Sequence, residues 1–435
     1  MAKTKAFLSA FLIALMISGL AFVGSAHFGS AQSGTSGTNV SGIITSDATW
    51  TQANSPYTLT GNVLVNNGVM LTIDAGATVN LGNYYIMVNG TLVAIGNSNS
   101  PISFNGGQIT FTQYSNGWND SVSAGCVIEN AVLTSTLTLS NSAKIDNDTI
   151  YSSITVQAAI GTPISNNIIE GGINFNSGAN ANISNNTIMN KGVSIGPWLD
   201  ENITISGNTI SGAYAGISCT TGADISVLIE GNLIIKNTNG IYLSSEGGPL
   251  NIIIQNNTFT INTVGINIQN PDGTPLNQAV LYNNIYGNTN YNINNQEANA
   301  LNATFNWWGT TDTQAISQTI YDYYDDFNLG IVTFVPFLTA PNPEAMPSST
   351  QLITNIATTS NSTSTQSSSL SPTTASTSSP TSTMDPSASP STSQSQRSTA
   401  SLPTELIVAA MVIVIIVVAI GAFLLGKRTG RNSRR

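Results

Sequence analysis

A short phrase returns every ~18 to 27 residues through the middle of the chain, and a period that short marks a solenoid. Each copy is an Asn doublet or a Gly-Asn pair, then a small or polar residue and an apolar one, with a Gly-Ile step soon after. Asn166-Asn167-Ile168-Ile169 leads to Gly172-Ile173, and Asn185-Asn186-Thr187-Ile188 to Gly192-Val193. Gly207-Asn208-Thr209-Ile210 leads to Gly216-Ile217, Gly231-Asn232-Leu233-Ile234 to Gly240-Ile241, and Asn256-Asn257-Thr258-Phe259 to Gly265-Ile266. Asn283-Asn284-Ile285-Tyr286 is the last clear copy. A unit of this size cannot bury its own apolar face, so neighbours must stack and share one core.

The segments between turns are short and alternating, as in Ile203-Thr204-Ile205, Val227-Leu228-Ile229 and Ile252-Ile253-Ile254. Helical repeats are usually longer and avoid Asn, Gly and β-branched residues. About twenty-two residues per turn leave room for three short strands and three corners. The expected fold is therefore all-β, a right-handed parallel β-helix of about twelve three-strand rungs. Asn tolerates the left-handed corner conformation, and Asn side chains stacked rung on rung can form hydrogen-bonded ladders. The repeated Asn thus reads as architecture. Residues Trp50 to Phe104 continue the coil with Gly and Asn turns, and a strand between Ser41 and Thr49 begins it. The coil spans 40–340; Asn306-Trp307-Trp308-Gly309 breaks the repeat, and a cap at 307–338 shields the last rung. In that cap Asp312 is expected to N-cap a short helix bearing Ile316, Ile320 and Tyr323 or Tyr324, and Gly330 to Phe334 forms a final strand.

The flanks carry other signals. Residues 1–31 hold two lysines, an apolar run and small residues at two cleavage points, the pattern of a secretory signal peptide. Residues 341–403 are dominated by Ser, Thr and Pro and read as a disordered stalk. Leu406 to Leu425 (406–425) is an uncharged apolar run long enough for one transmembrane helix, and 426–435 is a basic tail that belongs in the cytoplasm. The expected location is the cell surface, with the N-terminal domain outside. Asn-x-Ser/Thr sequons recur, among them Asn89, Asn119, Asn147, Asn182, Asn202, Asn256 and Asn302, and are glycosylation candidates. Cys126 and Cys219 lie about four coils apart, roughly 19 Å, too far for a disulfide, and read as buried thiols.

The arrangement resembles the right-handed parallel β-helix surface proteins of pectin-lyase-like fold with NosD-like repeats. The resemblance rests on Leu71-Thr72-Ile73-Asp74-Ala75-Gly76-Ala77-Thr78-Val79, Asn89-Gly90-Thr91-Leu92, the Asn and Gly-Ile repeats, and Asn306-Trp307-Trp308-Gly309 with Ile320 to Asp326. It implies a secreted or surface protein, among relatives whose roles are polysaccharide-related or unknown. The fold is shared by enzymes and inert rods and does not choose between them.

Residue content narrows the chemistry. Pectate lyases of this fold use an arginine base, and no arginine precedes Arg397. The sole histidine is His27, which removes His-ligated metals and a Ser-His-Asp triad from the domain. Between Val40 and Ala340 the basic residues are Lys144, Lys191 and Lys236 against eighteen carboxylates, a balance unsuited to nucleic acid. A carboxylate-dependent glycoside hydrolase remains the enzymatic alternative. The loops after successive Gly-Ile strands each bring an acid: Asp200 and Glu201, Asp224, Glu246 and Asp272. Insertions on one side of a solenoid often form its binding face. Trp198 and Tyr242 complete this set as stacking platforms for a glycan. Asp224, Glu246 and Asp272 are Ca²⁺ candidates, with Asp322, Asp325 and Asp326 as a weaker second group. No other cofactor is expected. The resulting reading is a membrane-anchored, non-enzymatic surface protein that binds glycan or cell envelope, with a purely structural component as the remaining alternative.

Overall fold

The computed structural model describes residues 37–157, 160–177, 180–196, 201–221, 225–245, 250–269 and 276–347. The signal-peptide, transmembrane and basic-tail segments, and the stalk from residue 348 on, lie outside them. No helix among the described residues is long and apolar enough to cross a membrane.

These residues form a parallel β-solenoid. A full turn has three faces, seen in the strands Ile160–Ser165, Ile168–Ile169 and Ile173–Ser177, which we call the first, second and third faces. The first face stacks thirteen parallel strands, from Ala48–Trp50 to Val332–Thr333. The other two merge into one twenty-one-stranded sheet. The expectation of three strands in every rung is corrected in the N-terminal turns. There Tyr57–Val65, Thr78–Val88 and Ile102–Phe111 are single long strands that run through both the second and third faces, with register shifts at the bend between Thr58 and Val63 and at Gly82.

Alternation within each strand sends every second side chain inward. On the first face Ile145, Ile164, Ile183, Ile205, Ile229 and Ile254 fall in register and are fully buried. Each such side chain contributes about 1.5–3 kcal/mol through burial, and β-branching suits the pleated, crowded interior. Cys219 takes one place in such a column, between Ile195 and Leu243 on the third face. Cys126 is buried four turns earlier, beside the first face, and burial pushes its thiol up to about 11. Both remain thiols, as their separation in the coil requires.

The corner between the first and second faces explains the asparagines. Its leading residue has left-handed φ, at Asn147, Asn166, Asn185, Gly207, Gly231 and Asn256. The residue after it is a buried Asn in the following turns: Asn167, Asn186, Asn208, Asn232, Asn257, Asn283 and Asn306. Each Oδ1 accepts the backbone amide of the Asn one turn before, as in Asn208 N to Asn232 Oδ1 at 2.8 Å. Each Nδ2 donates to a backbone carbonyl of the preceding turn and, in all but the last rung Asn306, to the next Asn, as in Asn232 Nδ2 to Asn257 Oδ1 at 2.9 Å and to Ile205 O at 2.8 Å. The ladder thus satisfies corner carbonyls and amides that no sheet reaches. A second, shorter ladder through Asn237, Asn262 and Asn288 serves the corner between the second and third faces.

Gly172 and Gly192 are left-handed, with φ of +76° and +70°, but the glycine of the three later Gly-Ile steps has a different cause. Gly216, Gly240 and Gly265 stack one above another, and a Cβ on Gly216 would lie 2.7 Å from Gly240 O. On Gly265 it would lie 2.5 Å from Asn292 O. Their φ values are not left-handed, so space is what excludes a side chain here.

Two boundaries differ from expectation. Asn306 does not break the repeat, because it is the last rung of the ladder, receiving Asn283 N at 2.8 Å. Trp307 still pairs in parallel with Asn284, and Trp308 is the first buried cap residue, edge-on to Phe334. Asp312 caps the helix Thr313–Ser317 as expected, its Oδ1 accepting Gln314 N at 2.9 Å. Ile320 is not on that helix, since Ile320–Tyr321 pairs with Ile293–Asn294 as a strand. The final strand is only Val332–Thr333.

The second correction concerns the stalk. Its first residues, 341–347, lie against the coil as a strap. Asn342 N donates to Asn284 Oδ1 at 2.8 Å, Asn342 Nδ2 to Asn256 Oδ1 at 3.0 Å, and Thr258 Oγ1 bonds Ala345 O. Leu233, Thr258 and Asn284 point outward from the second face yet are buried, and the strap bonds directly to two of them, Thr258 and Asn284.

Candidate functional site

The first face, outside rather than inside, carries the candidate site. Its outward rows run along the solenoid in register. One reads Asn182, Thr204, Leu228, Ile253 and Ala279, and the next reads Asn180, Asn202, Ser226 and Asn251. A shallow hollow of about 430 Å³ lies over the strands that begin at Glu201, Ile225, Leu250 and Leu276. Thr204, Leu228, Ile253 and Ala279 form its apolar strip, flanked by Asn202, Ser226 and Asn251. No lining side chain is charged. Ile253 is 49% exposed although it sits in the middle of an apolar triplet.

The loop residues expected to bind fall mostly outside the description. Trp198, Asp200, Asp224, Glu246 and Asp272 are not among the described residues. Glu201 opens the strand Glu201–Ser206, pairing with Ile225. In chain order these loops lead directly into the four strands that carry the hollow. Tyr242 lies on the third face, in an outward row between Ser218 and Asn267, and its Oη bonds Gln269 Oε1 at 3.0 Å. It therefore belongs to a different face from the hollow.

The cap acids organise backbone. Asp322 is buried, with Oδ1 accepting Tyr324 N at 3.0 Å and Oδ2 accepting Val332 N at 2.8 Å. Asp325 Oδ2 accepts Asp322 N at 3.2 Å, and Asp326 Oδ1 accepts Asn328 N at 3.0 Å. Among the described residues no group of three or more His, Cys, Asp or Glu side chains could hold a metal ion. A hollow of about 630 Å³ beside the cap helix includes Gln314, Gln318, Tyr324 and Phe334.

One charged cluster stands on the first face away from the hollow. Lys144 Nζ lies 2.7 Å from Glu129 and 3.1 Å from Asp146, over the Trp118 ring. Partial burial works against the Asp146 charge. Donors from Ser165, Asn166 and Lys144 outweigh it and hold the carboxyl below its ordinary value. With the cation between them, the two acids form an ion-paired patch rather than an acid and base facing a shared substrate.

Of the sequon asparagines, Asn119, Asn147, Asn182, Asn202 and Asn302 are exposed, whereas Asn89 and Asn256 are half-buried. Asn256 is in addition bonded to the strap.

Comparison with protein families gives one match, to the right-handed β-helix region, over residues 126–289. The chain is a right-handed parallel β-helix repeat protein. The matched stretch contains the ladder from Asp148 to Asn283 and the whole lining of the hollow. No match to a curated protein or to a solved structure accompanies it. For this β-helix the residues that sequence reasoning missed are Leu228, Ile253 and Ala279. A signal was present: three successive apolar residues in Val227-Leu228-Ile229 and Ile252-Ile253-Ile254, where alternation calls for a polar residue in the middle.

Proposed function

We propose that this β-helix is a non-catalytic, membrane-anchored surface protein that binds an extended glycan across the outside of its first face. The observation that carries the reading is the uncharged hollow at Leu228, Ile253 and Ala279, edged by amides and hydroxyls. Sugar rings present apolar C–H faces and a rim of hydroxyls. An apolar strip bordered by Asn and Ser side chains matches both, and an uncharged lining favours a neutral polymer over an ionic one. Strands repeat every ~4.8 Å along the coil, so the surface suits a chain lying across several turns. In the sequence the acids Asp200, Asp224, Glu246 and Asp272 come shortly before the same strands and Glu201 opens the first of them, and on this reading they are the carboxylates through which Ca²⁺ bridges to sugar hydroxyls. The apolar leader and the apolar run at 406–425 with its basic tail support export and anchoring.

The test is a glycan array probed with the full chain, with Ca²⁺ and with chelator. Saturable binding is expected, and its weakening by chelator together with Asp224→Ala and Glu246→Ala would assign the loop acids to a bridging cation. Absence of binding in both conditions would leave a structural rod. Cleavage of the bound glycan would replace the reading with a glycoside hydrolase.

A further inference from the structure

The asparagine ladder ends on an acid. Asp148 occupies the position that Asn167, Asn186, Asn208 and Asn232 hold in later turns, directly after a left-handed Asn147. Its backbone amide donates to Asn167 Oδ1 at 2.8 Å, and its own Oδ1 accepts Ala131 N at 2.7 Å, as the ladder pattern requires. The difference lies at the second side-chain atom. Each ladder Asn uses Nδ2 to donate to a first-face carbonyl one turn back, Asn167 to Ile145 O and Asn186 to Ile164 O, at 2.9 and 2.8 Å. Asp148 has Oδ2 there, buried and without a hydrogen-bond partner. The carbonyl in register for it is that of Ile128, since Ile145 pairs with Ile128. A carboxylate can only accept, whereas a carboxylic acid carries one donor for this position.

We propose that Asp148 is held as a neutral carboxylic acid which donates from Oδ2 to the Ile128 carbonyl, and that its ionisation uncouples the turns around residues 127–150 from the ladder. The surroundings support it. Burial raises the Asp148 carboxyl well above its ordinary value, opposed by the Ala131 amide, and the charges of Asp146 and Glu129 raise it further. Lys144 lies between those two acids and is ion-paired to both. The second-face strands before and after Asp148's own turn, Ala131–Leu133 and Ile168–Ile169, bear no titratable side chain. Because the folded value is raised, the stabilisation is complete at low pH and is lost as pH rises through the folded value. The coil thus carries an alkali-sensitive turn well before the glycan-binding strands, independent of what those strands bind.

The experiment is urea unfolding of the full chain from acidic to alkaline pH, for the wild type and D148N, with infrared difference spectra between the two at neutral pH. Between the unfolded value and the raised folded value the wild-type ratio of folded to unfolded chain is expected to fall about ten-fold per pH unit, the slope of one proton, and to level off above the folded value. D148N supplies the donor permanently and should be flat over that range. The difference spectrum should show the carbonyl band of a protonated carboxylic acid in the wild type. Equal pH dependence in the two chains, no such band, or a D148N chain that fails to fold would each overturn the proposal.

Discussion

Asn232→Leu is expected to lower the stability of the coil by about 4 kcal/mol, although leucine is close to asparagine in size and far more apolar. The side chain is fully buried and engaged on both sides. Its removal strands the Asn208 amide, bonded at 2.8 Å, takes the Asn232 donor at 2.8 Å from the Ile205 carbonyl, and leaves Asn208 Nδ2 with only its carbonyl acceptors Ile183 O and Ser206 O. Each buried group left without a partner costs about 1–3 kcal/mol, which exceeds the apolar gain of the leucine. The outward-facing Asn174→Ala serves as the control and should stay within about 0.5 kcal/mol. Urea midpoints of the two variants decide the matter. Equal midpoints would mean that the ladder is decoration.

Gly240→Ala is the second large effect. Its new Cβ would come closer than 3.0 Å to Gly265 O, with the Phe259 ring at 3.1 Å and Asn262 Nδ2 at 3.3 Å on other sides. The blocking atom is backbone of the next turn, so relief requires two turns to separate. That forfeits strand hydrogen bonds, and we expect a loss of about 3 kcal/mol, the upper end for overpacking. Gly161→Ala gives the contrast. Gly161 has φ of +71° and open space around its Cβ position, so only the left-handed conformation is penalised, by about 1–2 kcal/mol. A Gly240→Ala midpoint no lower than that of Gly161→Ala would show that the column has slack.

Much of this was legible because a repeat multiplies a weak signal. One Asn-Asn pair says little, but the same pair on successive turns identified both the left-handed corner at Asn166 and Asn185 and the ladder behind it. The Gly-Ile step was equally visible, yet its reason was not, because the Gly240 to Gly265 approach exists only once turns are stacked. The end of the coil was misjudged for a compositional reason. Residues 341–347 hold three prolines, like the stalk that follows, and only the bonds of Asn342 to Asn256 and Asn284 show that they line the solenoid. Asn306 was read as a break because Trp307 and Trp308 follow it, while its own side chain continues the ladder. The hollow was hidden by its residue types. Leu228 and Ile253 look like core in sequence, and strand alternation turns them outward. Asp148 was passed over because an acid within an Asn-rich repeat looks like ordinary surface charge.

The most direct test of the functional account is a binding titration of the full chain, wild type against Ile253→Asp, with the polysaccharide that the array returns. Ile253 is half exposed at the centre of the apolar strip, so the substitution perturbs the surface more than the core. The account predicts at least a ten-fold loss of affinity, the scale of a central interface residue, with an unchanged unfolding midpoint. Asn174→Asp on the third face should bind as the wild type does. Undiminished binding by Ile253→Asp would contradict the account and move the site off the first face.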